Sequence, residues 1–107
     1  MTIQEIEEIL KIGQCPPTWL AEAKDWLASE SSTLMDRQLE LQIKFAEYFK
    51  EMREKFQSDN AVRMTWVTEP LGIEQISLET QQRKIKVLRE AISSHLRVAS
   101  DQARNLY

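Results

Sequence analysis

An uninterrupted apolar stripe runs through the last thirty residues, and it limits the possible folds more than any other feature. From Ile85 onward, apolar side chains recur at spacings of three and four. Leu78 precedes them by seven residues, or two helical turns, and no Gly or Pro lies between them. The stripe comprises Leu78, Ile85, Leu88, Ile92, Leu96, Ala99, Ala103 and Leu106. This spacing places them on one face of a single long helix. Such a face must be buried, either inside this chain or against a partner.

The rest of the sequence predicts three further helices. Thr2 and Gly13 are placed to cap the first helix at its two ends. The two prolines after Cys15 force a turn before the second helix, and the Ser-rich segment that follows this helix predicts a break. The predicted helices are 2–12, 17–28, 33–57 and 77–106, with the break at 29–32. The segment 68–70 also resembles a helix start, so the last helix begins either there or at Ser77.

The predicted third helix is apolar around roughly 220° of its circumference, which is too wide for one neighbour. Two seams are visible. One seam comprises Leu41, Phe45, Tyr48 and Met52, and the other comprises Met35, Leu39, Ile43, Ala46 and Phe49. A helix with two seams packs against two partners. We therefore predict that the first seam and the last helix form an interface, which comprises Leu41, Phe45, Tyr48, Met52, Ile85, Leu88, Ile92 and Leu96.

One stretch does not follow the helical pattern. Between 61 and 70, β-branched residues are dense, and Val62, Met64 and Trp66 alternate with polar residues. This pattern predicts a short strand or an extended crossover, although a lone strand needs a partner to be stable. The predicted fold class is all-α: a small helical bundle built on a long antiparallel helical hairpin. It has two short N-terminal helices and a short extended segment at 61–70, in a single domain spanning residues 1–107.

Charge is unevenly distributed along the chain, which carries a net charge of −3. Residues 80–107 are basic and the preceding part is acidic. A row of cations on the last helix, with an aromatic neighbour, is typical of a surface that contacts phosphates and stacks on bases. The candidate nucleic-acid-binding residues are Arg63, Trp66, Arg83, Lys84, Lys86, Arg89 and Arg97.

Two other interpretations of the basic face stay open. Lys86–Glu90 and Arg97–Asp101 are opposite charges four residues apart, which is typical of an ordinary solvated helix face. Alternatively, the basic face meets an acidic patch on a neighbouring subunit, such as the glutamates of 5–8.

Catalytic and metal-binding motifs are not evident. His95 and Cys15 are the only histidine and the only cysteine, and neither has a catalytic companion at a recognisable spacing. Glu-x-x-His pairs, Gly-rich phosphate loops and zinc-type Cys pairs do not occur. We therefore predict a protein that is not an enzyme and needs no cofactor or metal. The lone cysteine and the lack of a signal peptide or membrane span favour a cytoplasmic location.

The sequence thus favours a protein–protein assembly function. In one version the chain forms a homodimer or larger ring; in the other it is an adaptor or inhibitor that occludes a partner protein. The alternative is a nucleic-acid-binding accessory protein that uses the basic last helix. Neither a membrane nor a small-molecule substrate is expected as a partner.

Overall fold

The computed structural model describes residues 1–13 and 15–105 of the chain, and every regular element in these ranges is an α-helix. The helices are α1 (Ile3–Ile12), α2 (Pro17–Met52), α3 (Asp59–Trp66) and α4 (Pro70–Asn105). The described part of the chain contains no strand. The predicted all-α class is confirmed. Leu106, the last member of the predicted stripe, lies outside the described residues.

The two long helices α2 and α4 pack against each other, as the predicted hairpin requires. Ser31 of α2 donates a hydrogen bond to Gln82 of α4, with Oγ and Oε1 2.7 Å apart. Nearer the end of α2, Arg37 reaches Glu74, which lies nearer the start of α4. A later residue of α2 therefore contacts an earlier residue of α4, so the two helices run antiparallel.

Helix α1 begins and ends as its sequence predicts. The Thr2 hydroxyl accepts a hydrogen bond from the backbone N–H of Glu5 at 3.1 Å. Gly13 ends the helix in the left-handed conformation with φ of 80°, where its N–H donates to the Ile9 carbonyl. A residue with a side chain is strained at this backbone angle, which explains the glycine.

The predicted break at 29–32 is wrong, because α2 is continuous from Pro17 to Met52. The second short helix and the long third helix are therefore one element. Serine lowers helix stability only slightly at each position, and tertiary packing overrides so small a preference. Ser31 is also held in place by Gln82, whose Nε2 donates to the Ser31 carbonyl at 2.9 Å.

The predicted extended segment at 61–70 is also wrong, because most of it belongs to α3 and the start of α4. The Ser58 hydroxyl caps α3 by accepting from the backbone N–H of Ala61 at 3.1 Å. Val62 and Trp66 are both buried, and they lie one helical turn apart. Burial of that pair outweighs the β-propensity of the segment. Helix α4 begins at Pro70, which is the earlier of the two starts that the sequence allows.

Contacts within the chain cluster into two compact units. The first unit contains residues 1–31 and residues from 82 onward, and the second contains residues 32–81. The core of the first unit comprises Ile6, Leu20, Ala23, Leu27, Ile85, Leu88 and Ile92. The core of the second comprises Leu41, Val62, Trp66 and Leu78. The single domain stays a prediction. None of the described helices is long and apolar enough to cross a bilayer.

Candidate functional site

Half of the predicted interface is buried inside the chain itself. Ile85, Leu88 and Ile92 are at most 7% exposed in the first unit, and Leu41 is fully buried in the second. The other four residues of the set are half-buried: Phe45, Tyr48, Met52 and Leu96. The buried members pack within their own units, so they do not offer an open surface to a second molecule. That part of the predicted interface is corrected.

Trp66 is the centre of an aromatic cluster in the second unit. Its ring centroid lies 5.3 Å from that of Phe45 and 5.1 Å from that of Tyr48. The indole N–H donates to Gln75 at 2.7 Å, and the side chain is 5% exposed. A ring enclosed in this way cannot stack on a nucleic-acid base, so its predicted binding role is wrong. Arg63 is exposed, but it belongs to the second unit, whereas the other predicted cations belong to the first.

The Tyr48 hydroxyl lies against this cluster without a hydrogen-bond partner in the described part of the chain. Burial of the hydroxyl raises the pKa of Tyr48, and the nearby carboxylate of Glu69 raises it further. Its proton is therefore held more tightly than in free tyrosine.

An apolar stripe on α2 is exposed in the second unit. Met35, Leu39 and Ile43 are 61%, 58% and 54% exposed. They follow one another at intervals of four, so they lie on one side of the helix. We call these three residues the outer stripe. They belong to the second seam noted in the sequence, which the predicted interface set omits.

Beside the outer stripe is an open hollow of about 360 Å³, lined by Met35, Asp36, Gln38, Leu39 and Gln42. The stripe therefore has a concave, partly polar border that a side chain from another helix can enter. Three large apolar side chains exposed in a row on one side of a helix are characteristic of an interaction surface.

A basic groove of about 520 Å³ lies in the first unit. It is lined by Lys24, Ser31, Gln82, Ile85, Lys86, Arg89, Glu90, Ser93, Ser94 and Arg97. Three predicted cations, Lys86, Arg89 and Arg97, therefore share one site. Two others, Arg83 and Lys84, are exposed but do not line the groove. Lys24 completes the groove from α2, and sequence reasoning missed it because it lies on a different helix.

None of the groove cations forms an ion pair within the described part of the chain. The expected pairs Lys86–Glu90 and Arg97–Asp101 are therefore not formed. The described ion pairs belong to the second unit, where Arg37 and Arg53 hold their carboxylate partners. The groove consequently presents four cations that no carboxylate neutralises through direct contact.

The Arg37 guanidinium donates two hydrogen bonds to the Glu74 carboxylate, from Nε to Oε2 at 2.8 Å and from Nη2 to Oε1 at 3.0 Å. Its third nitrogen donates to Glu40 at 2.7 Å. The hydrogen bonds from Arg37 lower the pKa of Glu74, and those to both carboxylates raise the pKa of Arg37. The arrangement joins α2 to α4 within the second unit.

Cys15 and His95 share a second hollow in the first unit, of about 400 Å³. The thiol donates to the Ile9 carbonyl at 3.6 Å, and no described hydrogen bond joins it to the imidazole. A nucleophilic cysteine is commonly activated by a base within hydrogen-bond reach of its sulfur. The two side chains therefore share a hollow without forming such a pair. The described residues also contain no group of three or more potential metal ligands.

Comparisons with protein-family models, with curated proteins and with solved structures find no significant match to this chain. The outer stripe and the basic groove are therefore the two features of the molecule that bear on its function.

Proposed function

We propose that this chain is a non-enzymatic assembly protein that associates with a second copy of itself through the outer stripe. The observation that supports this proposal is the exposure of Met35, Leu39 and Ile43 in a row on α2. Removing such a row from water on association is favourable, because apolar surface is transferred out of solvent. The proposal keeps the predicted assembly function and moves its interface to the second seam. A cytoplasmic setting belongs to the same proposal.

The pattern around Leu39 supports self-association over binding to an unrelated adaptor target. Met35 and Ile43 each lie four residues from Leu39, on either side of it. Small exposed residues, Ser32 and Ala46, each lie seven residues from it, two helical turns away. These five positions are therefore nearly symmetric about Leu39, and none of the five is charged. In a two-fold antiparallel contact, Leu39 meets its own copy and Met35 meets Ile43.

The stripe is short, so we expect a moderate affinity. From Ser32 to Ala46 the helix rises roughly 21 Å at 1.5 Å per residue. A contact of that length is at the lower end of specific interfaces, which suits a dissociation constant on the order of micromolar.

Disulfide trapping tests this arrangement directly. In a Cys15→Ser background, Leu39→Cys should cross-link to its own copy under mild oxidation, because the two-fold axis brings the two residues together. Met35→Cys and Ile43→Cys should cross-link poorly alone and readily when mixed. The readout is the dimer fraction on a non-reducing gel over time.

Ile12→Cys is the matched control, because Ile12 is 72% exposed and lies outside the stripe. Leu39→Cys cross-linking no faster than Ile12→Cys would contradict self-association through this face. If two copies of Met35→Cys form a disulfide as fast as two copies of Leu39→Cys do, the antiparallel arrangement is contradicted.

The alternative, a nucleic-acid accessory function, is favoured by the addition of Lys24 to the predicted cations. It lacks the predicted stacking surface, because Trp66 is enclosed. Binding to phosphates alone would weaken steeply as salt is raised. If the chain binds neither DNA nor RNA at low salt, this alternative is ruled out.

A further inference from the structure

We propose that the basic groove of the first unit binds a small molecule carrying two or more linked phosphate groups. Lys24, Lys86, Arg89 and Arg97 line it, and Glu90 is the one carboxylate among the lining residues that the structure describes. This site is separate from the outer stripe, which belongs to the second unit. The inference therefore does not depend on self-association.

The chemistry of the lining suits phosphate oxygens. Arginine presents planar, forked donors and lysine a compact charge, and both are used to hold phosphates. Hydroxyl groups of Ser93 and Ser94 add neutral donors to the lining, whereas the Ser31 hydroxyl already donates to Gln82. None of the four cations has an ion-pair partner in the described part of the chain, so each is available to a ligand.

The spacing of the cations indicates more than one phosphate. Lys86 and Arg97 are eleven residues apart on α4, which places their backbones roughly 16 Å apart along the helix axis. Lys24 approaches from α2. A single phosphate cannot contact groups spread over this distance, whereas linked phosphates can engage several of them. The groove volume of about 520 Å³ is that of a small-molecule site.

Two observations favour a small ligand over a nucleic-acid strand. No aromatic side chain is among the groove-lining residues, and strands without sequence preference are commonly held by stacking on such side chains. The first unit also has eight lysine and arginine residues against eight aspartate and glutamate residues, so it has no net charge. A long polyanion would meet repulsive carboxylates outside the groove, while a compact one would contact mainly the four cations.

The test is isothermal titration calorimetry of the full chain with inorganic tripolyphosphate, ATP and a single-stranded DNA oligonucleotide. The dissociation constant for tripolyphosphate or ATP should be lower than the dissociation constant for the DNA, expressed per binding site. Binding of both small probes would indicate recognition of the phosphates alone, and binding of ATP only would indicate a nucleotide. Either result supports the proposal. Tighter binding of DNA, or no binding of either small probe at millimolar concentration, would overturn it.

Charge-matched variants separate a site from general attraction. Lys86→Gln with Arg97→Gln should weaken binding by about tenfold or more, as expected when charge-assisted hydrogen bonds are lost. Arg83→Gln with Lys84→Gln removes the same charge outside the groove and should have little effect. Lys24→Gln should weaken binding, and Glu90→Gln should strengthen it. Equal losses in the two double variants would overturn the site, provided that circular dichroism shows both to be folded.

Discussion

At the scale of single residues, Gly72 determines how closely α3 and α4 approach. A Cβ atom added to Gly72 would overlap the backbone carbonyl oxygen of Trp66. That carbonyl is fixed, because it accepts a hydrogen bond from the Glu69 N–H at 3.0 Å. The glycine is therefore required by packing, although it lies inside a helix.

Gly72→Ala should lower the free energy of unfolding by about 1–3 kcal/mol, because the overlap forces a backbone shift. Alanine is the better helix former, so helix propensity alone gives the opposite sign. Urea denaturation measures the difference. Ser77→Ala, an exposed change in the same helix, is the control and should have little effect. Equal or higher stability of Gly72→Ala would contradict the close approach at Trp66.

The Arg37–Glu74 pair gives the second unit a dependence on acid. Because Arg37 lowers the pKa of folded Glu74, the pair stabilises the fold at pH above the pKa of glutamate in the unfolded chain. That contribution is lost as pH falls through the folded pKa. Both side chains are partly exposed, so salt should weaken the effect.

Thermal unfolding of Glu74→Gln should therefore vary less with pH below 4.5, the ordinary pKa of glutamate, than unfolding of the parent chain. Above that pH the variant should be the less stable of the two. Glu79→Gln is a control at an exposed position of the same helix. Parallel pH profiles for the parent and Glu74→Gln would show that the pair does not contribute.

At the scale of elements, the sequence predicted what local chemistry decides. Thr2 and Gly13 mark α1 because caps satisfy backbone groups at the helix ends. The stripe of α4 predicted a buried face because its period matches the helix. The antiparallel hairpin followed from the two long helices that the sequence predicts at 33–57 and 77–106.

The errors lie where tertiary contacts decide. Ser31 sits within α2 because it pairs with Gln82, and nothing near it in sequence indicates that partner. Val62 and Trp66 fit both a period of two and a period of four, and burial selects the helix. The same reason explains Lys24, because residues on different helices meet only in the folded chain. The outer stripe was visible as a second seam, but the sequence alone could not show which seam faces the core.

The N-terminal cap of α3, the helix found in place of the predicted extended segment, can be tested by substitution of Ser58. Ser58→Ala removes the hydroxyl that accepts from the Ala61 N–H, and it should lower stability by about 1 kcal/mol. Ser58→Asp retains an acceptor and should restore stability. Denaturation of both variants measures the difference. If Ser58→Ala matches the parent chain, the hydroxyl does not stabilise α3.

At the scale of the whole molecule, the two candidate surfaces belong to different units and differ in chemistry. The outer stripe is apolar and uncharged, so association through it should persist at high salt. The basic groove is cationic, so binding there should weaken with salt. Salt therefore distinguishes the two activities in one preparation.

The most direct test of the central claim is the mass of the protein by light scattering in the micromolar range, at low and high salt. The mass of the parent chain should rise from near 12.6 kDa toward twice that value as its concentration increases through the micromolar range, at both salt concentrations. Leu39→Lys should return to 12.6 kDa, whereas the exposed control Ile12→Lys should behave as the parent does. A parent chain of 12.6 kDa under all these conditions would contradict self-association through the outer stripe.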